Sequence, residues 1–316
     1  MPDHYSFIRQ YNNFEVLTAT LHGYDIDLQQ LDRGQFTATT QQVVSGAVLL
    51  SNFTATRHLE VRGNAPANLR TFGIPAEGCR PIVWGEQLSD NNTILVYRNG
   101  TELEIVSKPF SRAIDLSIPE DTLNQQCQTL GYPEIDAIIG DNKMLTCTQK
   151  DMHALRSALY RVCLALSDDP SLIGTIGMQQ EIELELPQLL LSALCSAKAQ
   201  QGRSPPERKQ RALKKAVDYI KTFSNKPITL NELCQETQVS ARTLQSAFLD
   251  HFGLSPNAYL RVQRLNNVHK ELFTSSPVGT KVADIACRRG FWHMGQFSAD
   301  YKRLFAELPS ETLKKQ

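Results

Sequence analysis

The chain has no net charge, no CxxC pair and no apolar run of the roughly 18 residues that a membrane span requires. Each absence removes a class of protein. The most apolar stretch, "LPQLLLSALCSA" from Leu186 to Ala197, is short and carries Pro187 and Gln188, so a soluble chain with no membrane partner is expected. The amino terminus, "MPDHYSFIRQ", lacks a basic start, an apolar stretch and a cleavage site, which makes a cytoplasmic location the expectation. Seven cysteines, an odd and scattered set, write neither a disulfide framework nor a zinc site of the usual spacing. They read as buried thiols. No GxSxG, HExxH or Walker loop occurs, so neither an enzyme nor a cofactor is expected.

What remains is globular. With 316 residues, 41% of them apolar and 21% charged, the chain is near the soluble average and too long for one ordinary core. The zero net charge hides an asymmetry: residues 1–202 carry 14 Lys and Arg against 23 Asp and Glu, whereas residues 203–316 carry 19 against 10. The first part stands at −9 and the second at +9. Only the second can approach a polyanion.

From Phe36 to Ile118 short β-branched and apolar runs, such as "QVVSGAVLLSNFTAT" and "NTILVYRN", alternate with Gly, Asn and Pro punctuation. That spacing predicts a β-sandwich or small barrel. In "ELEIVS", Leu103 and Ile105 share one face and Glu102 and Glu104 the other. Between Gln149 and Ala199 the period becomes helical, with Leu155, Leu159, Val162 and Leu166 in one segment and Leu186, Leu190 and Leu194 in the next. These helices either cap the β-unit or pair with a second copy, and core packing is the preferred reading. "KAQQGRSPPERKQRA", from Lys198 to Ala212, breaks both patterns and reads as a linker. The expected organisation is a first domain over residues 1–200, a linker over 201–212 and an all-helical second domain over 213–316.

The second domain says one thing twice. "SARTLQSAFLDHFGLSP" (Ser240 to Pro256) and "GFWHMGQFSADYKRLFAELPS" (Gly290 to Ser310) align Leu244 with Phe297, Phe248 with Tyr301, Gly253 with Ala306 and Pro256 with Pro309. Each pair lies 53 residues apart. A short helix precedes each copy: "TLNELCQETQ", with Thr229 and Glu232 spaced as a capping box, and "KVADIACRRG". Each copy therefore spells helix, turn, helix. At 100° per residue, Leu244, Phe248 and Phe252 line the inner side of the first long helix, and Phe297, Tyr301 and Leu304 that of the second. Arg242, Thr243, Gln245 and Ser246 look outward in the first, and Trp292, Gln296, Ala299 and Arg303 in the second. Such narrow faces suit a DNA major groove roughly 12 Å wide, where Arg bonds guanine and Gln bonds adenine. A surface helix of a repeat bundle usually carries more long charges. Between the copies, residues 255–276 form one helix by period, a rigid connector that sets the separation of two reading heads.

Ser240, Leu244, Phe248, Gly253, Pro256, Tyr259, Leu260 and Arg264, followed by Ile285-Ala286, Gly290-Phe291, Phe297, Tyr301, Phe305 and Pro309, resemble the double helix-turn-helix domain of the AraC/XylS family of transcription regulators. The form "GFWHMGQFSADYKRLFAELPSETL" is similar to the XylS-type branch. The resemblance covers residues 210–315, about a third of the chain. It implies that Arg242, Gln245 and Ser246, with His293, Gln296 and Ala299, face bases. Gly295 stands where many members have Ser, and Ala306 where most have Gly, a residue type that accepts positive φ more readily. The same resemblance implies an α+β protein whose amino-terminal part is a cupin-like sensor with flanking helices. It implies double-stranded DNA and RNA polymerase as partners, a homodimer through the amino-terminal helices, a small-molecule effector, and activation of transcription.

For an effector, Trp84 and the series Arg57, Arg62, Arg70 and Arg80, with Trp84, Arg57 and Arg80 as the candidate set, offer an aromatic wall and carboxylate-binding cations. The simpler reading makes Trp84 core and the arginines solvated loop residues. His4, His22, His58 and His153 stand singly, and His58 with Glu60 is a common strand pairing, so no metal is expected. Two rivals remain: an adaptor that touches DNA without specificity, and an enzyme fused to a DNA-reading unit. The adaptive alkyl-DNA repair form of the second needs a four-cysteine zinc site and a Pro-Cys-His motif, and neither is present.

Overall fold

Strand formation begins at the amino terminus, well before Phe36. The structure, a computed structural model, describes residues 4–85, 87–98, 102–199, 207–223, 226 and 228–315. Along the chain the strands are β1 (His4–Tyr11), β2 (Asp25–Gln30), β3 (Ala38–Ser45), β4 (Val48–Ala55), β5 (Leu59–Asn64), β6 (Arg70–Pro75), β7 (Val83–Trp84), β8 (Gln87–Leu88), β9 (Thr93–Tyr97), β10 (Leu103–Val106), β11 (Ser111–Ile118), β12 (Met144–Thr146) and β13 (Lys198–Ala199). They form an eight-stranded sheet in the order β1-β3-β4-β11-β6-β9-β12-β13 and a five-stranded sheet in the order β2-β5-β10-β7-β8. The expected window of 36–118 missed β1 and β2, and also β12 and β13, which are too short to show a period. The first six helices are α1 (Phe14–Thr20), α2 (Glu120–Leu130), α3 (Ile135–Ile139), α4 (Gln149–Asp168), α5 (Ile176–Gln180) and α6 (Leu186–Cys195).

Two compact units divide the chain. The first comprises Met1–Asp27, Thr37–Thr56 and Val61–Gly202. Its large sheet has two different faces because alternate residues of a strand point oppositely. Leu50, Phe72, Ile74, Ile94, Val96, Ile114 and Leu116 pack outward against Leu155, Leu159, Val162 and Leu166 of α4 and Leu186, Leu190 and Leu194 of α6. The two leucine-rich stripes are therefore consumed in this core. On the inner face, Trp84 packs edge-on to Tyr97, ring centroids 4.9 Å apart, among Leu95, Leu103, Ile105 and Met144.

The rest of the inner face is polar. Asp115 stands opposite Ser51 on one neighbouring strand and Gly73 on the other. Tyr24 Oη donates to Asp115 Oδ2 at 2.9 Å, Gln42 Nε2 donates to Ser51 Oγ at 3.1 Å, and the hydroxyls of Thr71 and Ser117 meet at 2.7 Å. A Cβ at Gly73 would lie 2.5 Å from Tyr97 Oη and 3.1 Å from Asp115 Oδ1, so only glycine admits both groups there. Burial pushes the Asp115 carboxyl up to about 7, although hydrogen bonds from Tyr24 and Tyr97 act in the other direction.

The cysteines depart from expectation: Cys127, Cys147 and Cys163 are buried, Cys79, Cys234 and Cys287 are half-buried, and Cys195 is exposed. The proposed linker is also shorter. Lys198 and Ala199 pair with Thr146 and Leu145, and Glu207–Thr222 form helix α7, whose apolar positions Ala212, Ala216, Val217 and Ile220 recur at helical spacing and are buried. Residues 200–206, including Pro205 and Pro206, lie outside the described residues.

The second unit comprises Leu28–Phe36, Arg57–Glu60 and Arg203–Gln316. The two upstream segments contribute Asp32, Arg33, Arg57 and Glu60, two charges of each sign, so the unit keeps its +9. After α7 come α8 (Leu230–Thr237), α9 (Ala241–Phe252), α10 (Pro256–Thr274), α11 (Val282–Arg288), α12 (Met294–Phe305) and α13 (Pro309–Thr312). Local chemistry sets the starts. Thr229 and Glu232 form the expected capping box on α8, and Ser240 Oγ and Ser255 Oγ accept the Thr243 and Ala258 N–H groups at the starts of α9 and α10.

Helix α10 joins the two copies through aromatic anchors. Tyr259 stacks on Phe252 at 4.2 Å and meets Phe248 edge-on at 5.3 Å, while His269 lies 4.7 Å from Phe305. The anchors are ten residues apart, about 15 Å of helical rise, so one rigid rod fixes the spacing of both copies. The upstream segments complete this core. Glu60 accepts from Tyr259 Oη at 2.9 Å and Gln263 Nε2 at 3.1 Å. Gln30 exchanges two hydrogen bonds of 3.0 Å with the Asn266 amide, and its Nε2 donates to the Leu304 carbonyl at 2.7 Å, near the end of α12.

The two copies close differently. Gly253 ends α9 at φ +68°, and Ala306 ends α12 at φ +60°, the conformation that a Cβ resists. Ala306→Gly is expected to stabilise the second unit by roughly 0.5–1 kcal/mol, the relieved strain less the added freedom of the unfolded chain. Its thermal transition should rise; a fall would contradict this account of the turn.

Candidate nucleic-acid interface

The second helix of each pair, α9 and α12, buries one face and leaves the other open. Leu244, Ala247, Phe248 and Phe252 are buried in α9, as are Phe297, Tyr301, Leu304 and Phe305 in α12. Arg242, Gln245 and Ser246 are exposed, and Thr243 is half-buried with its hydroxyl 3.0 Å from Ser240 Oγ. Trp292 is 73% exposed in the turn before α12, and His293, Gln296, Ala299 and Arg303 are exposed as well. Helix α12 follows His293, which gives it no side-chain cap among the described residues. At Gly295 the place of a Cβ is open space, which leaves this helix thinner than a serine would.

Some expected reading side chains are already held. Lys209, from α7, donates to Ser246 Oγ at 2.8 Å and pairs with the Asp250 carboxylate. Gln296 Nε2 donates to Asp300 Oδ1 at 3.0 Å. Asp300 is buried and pairs with Arg261 of α10, and Arg303 Nη1 lies 3.5 Å from it. Sequence reasoning placed Ser246 and Gln296 but missed Lys209, Asp250, Arg261 and Asp300. The available signal was an acid four residues after each reading side chain, on the same helical face.

The expected effector residues are divided between the two units. Trp84 is buried in the core of the first unit, where its Nε1 has no hydrogen-bond partner among the described residues, and Arg80 is exposed. Arg57 belongs to the second unit, where its Nη1 donates to the Arg33 carbonyl at 2.5 Å and lies 3.6 Å from Asp32. Arg70 is tied down by Glu120 and by Asp136 at 2.9 Å.

Two helix-turn-helix units on one connector, inside a cationic body with both outward faces open, define a double-headed DNA-reading module. Residues 233–315 match the family described as a helix-turn-helix domain. The chain is 35% identical over 99 residues to the probable thc operon regulatory protein of Rhodococcus erythropolis, covering 31% of this chain and 30% of that protein. It is 31% identical over 103 residues to the XylDLEGF operon transcriptional activator of Pseudomonas putida, covering 33% and 32%. A solved probable AraC family transcriptional regulator from Rhodopseudomonas palustris CGA009 shares 35% identity over 33% of this chain and 95% of that one, with a TM-score of 0.30. The matches thus span about a third of the curated relatives' length. The carboxyl-terminal third of the chain is therefore similar to the corresponding part of these regulators. No helix among the described residues is long and apolar enough to cross a membrane.

Proposed function

We propose that the protein is a sequence-specific DNA-binding transcription regulator, acting as an activator, whose second unit reads two successive major grooves. The observation that carries this reading is the pairing of two exposed recognition helices, α9 and α12, on the single rod α10 within a unit of charge +9. Two similar proteins, one named a probable operon regulatory protein and the other an operon transcriptional activator, support it. The bases are read by Arg242, Gln245 and Ser246 in the first head and by Gln296 in the second, with Thr243, Trp292, His293, Ala299 and Arg303 lining the contact. Residues 1–200 serve as a cupin-like effector-binding and dimerisation part. Its polar inner face around Asp115 supports a small polar effector, and the exposed Leu164 and Ile176 support a homodimer through the helices. RNA polymerase is the partner an activator requires.

Competition binding with random duplex tests the reading. A specific reader prefers its site by roughly 10³-fold or more. A protein that holds random DNA equally well is instead an adaptor. Within a specific site, Arg242→Ala is expected to lower affinity roughly tenfold and to relax preference at one base pair. A loss shared by every sequence would make Arg242 a phosphate contact.

A further inference from the structure

The two heads share a device that reaches beyond their exposed faces. In each, a polar reading side chain has an acid four residues later, Ser246 with Asp250 and Gln296 with Asp300. In each, a cation from a supporting helix holds that acid, Lys209 of α7 in the first head and Arg261 of α10 in the second. The equivalence is not inherited from the 53-residue repeat, which would align Gln296 with Thr243 rather than with Ser246. The same arrangement has been reached at different positions.

Hydrogen-bond chemistry gives the arrangement a direction. An ammonium only donates, so at 2.8 Å Ser246 Oγ accepts from Lys209, which fills one of its two lone pairs and biases the hydroxyl hydrogen toward an outside acceptor. A carboxylate only accepts, so Asp300 draws the Gln296 amide nitrogen inward and turns Oε1 and the second N–H outward. A free serine can donate or accept, and a free glutamine amide can flip. Here the serine is biased toward donating and the amide is held in one orientation before any ligand arrives.

We infer that Lys209 and Arg261 are positioning residues that bias the hydrogen-bond polarity of Ser246 and Gln296, so that α9 offers chiefly a donor hydroxyl and α12 an oriented amide to the base edges. The inference rests on the DNA-reading function proposed above. A donor hydroxyl suits guanine O6 or N7, adenine N7 and thymine O4, and is a poor match for the cytosine N4 amino group. An oriented amide suits adenine, which presents N6–H₂ and N7 side by side. The lysine's side chain is only 16% exposed, the setting of a held group rather than of a cation reaching into solvent.

The test is selection of bound sequences from a randomised duplex by the full chain, followed by affinity measurements across salt. Lys209→Met is expected to admit cytosine at the pair facing Ser246, cutting discrimination there about three- to ten-fold and leaving other positions unchanged. Lys209→Arg should restore it, because arginine also only donates. Asp250→Asn, which leaves α7 untouched, should broaden the same position. Ser246→Ala should erase preference at that pair and make Lys209→Met silent on top of it. Arg261→Met should relax the adenine preference opposite Gln296. If Lys209→Met weakened all sequences alike and reduced the salt slope by about one, the lysine would be a phosphate contact and the inference would be overturned. Unchanged selectivity would overturn it too. A wild-type chain with no sequence preference at all would overturn the DNA-reading function and this inference together, whereas selectivity that ignores Lys209 and Arg261 removes only the inference.

Discussion

Phe297→Ala is expected to cost the second unit about 3–5 kcal/mol and to unravel α11 and α12 as a pair. The side chain is 1% exposed and sits between the rings of Phe291 and Tyr301, at centroid distances of 5.1 and 5.7 Å. Tyr301 in turn meets Phe305 at 4.7 Å, so one truncation opens a void in a chain of aromatic contacts. Amide exchange should report it: protection lost across 282–305 and retained across α9, whose own aromatic set is Phe248, Phe252 and Tyr259. On DNA, the footprint should shrink to one groove. Exchange rates in α12 that match the wild type would contradict the packing described.

Asp115→Asn carries the second large effect, and its sign depends on pH. The carboxyl is raised to about 7 in the folded protein against an ordinary value near 4. Its contribution is therefore fully present below about pH 4 and is lost as the pH rises through 7, where ionisation sets a charge between two sheets. The whole interval corresponds to roughly 4 kcal/mol. Because the residue keeps some contact with water, roughly 2–3 kcal/mol is expected to be recovered by asparagine at pH 8, and almost nothing at pH 4. Unfolding midpoints of the first unit should diverge between those two values and run level above. Parallel curves would mean that the carboxyl ionises at an ordinary pH.

How far the sequence reached follows the range of the interactions. The capping box at Thr229 and the stripes from Leu155 to Leu166 and from Leu186 to Leu194 rest on neighbours three to eight residues away, and all were legible. So was the outward set on α9 and α12, because helical period alone separates Arg242 from Leu244. Glu60 beneath Tyr259 and Gln30 against Asn266 join residues 199 and 236 positions apart, where no period applies. Strand β1 was missed for another reason: it is an edge strand with largely accessible residues on both faces, so its apolar and polar positions do not alternate. Lys209 was read as linker because Pro205 and Pro206 mark a break, yet a helix begins directly after them.

The contribution of Leu28–Phe36 and Arg57–Glu60 to the second unit bears on how such genes can be recombined. A hybrid regulator cut at residue 203 would inherit Tyr259, Gln263 and Asn266 without the acceptors and donors that satisfy them, and would begin life with a destabilised rod between its heads. Exchanging the second unit between relatives therefore requires transplanting two short internal segments along with the tail, a graft with five junctions in place of a single splice.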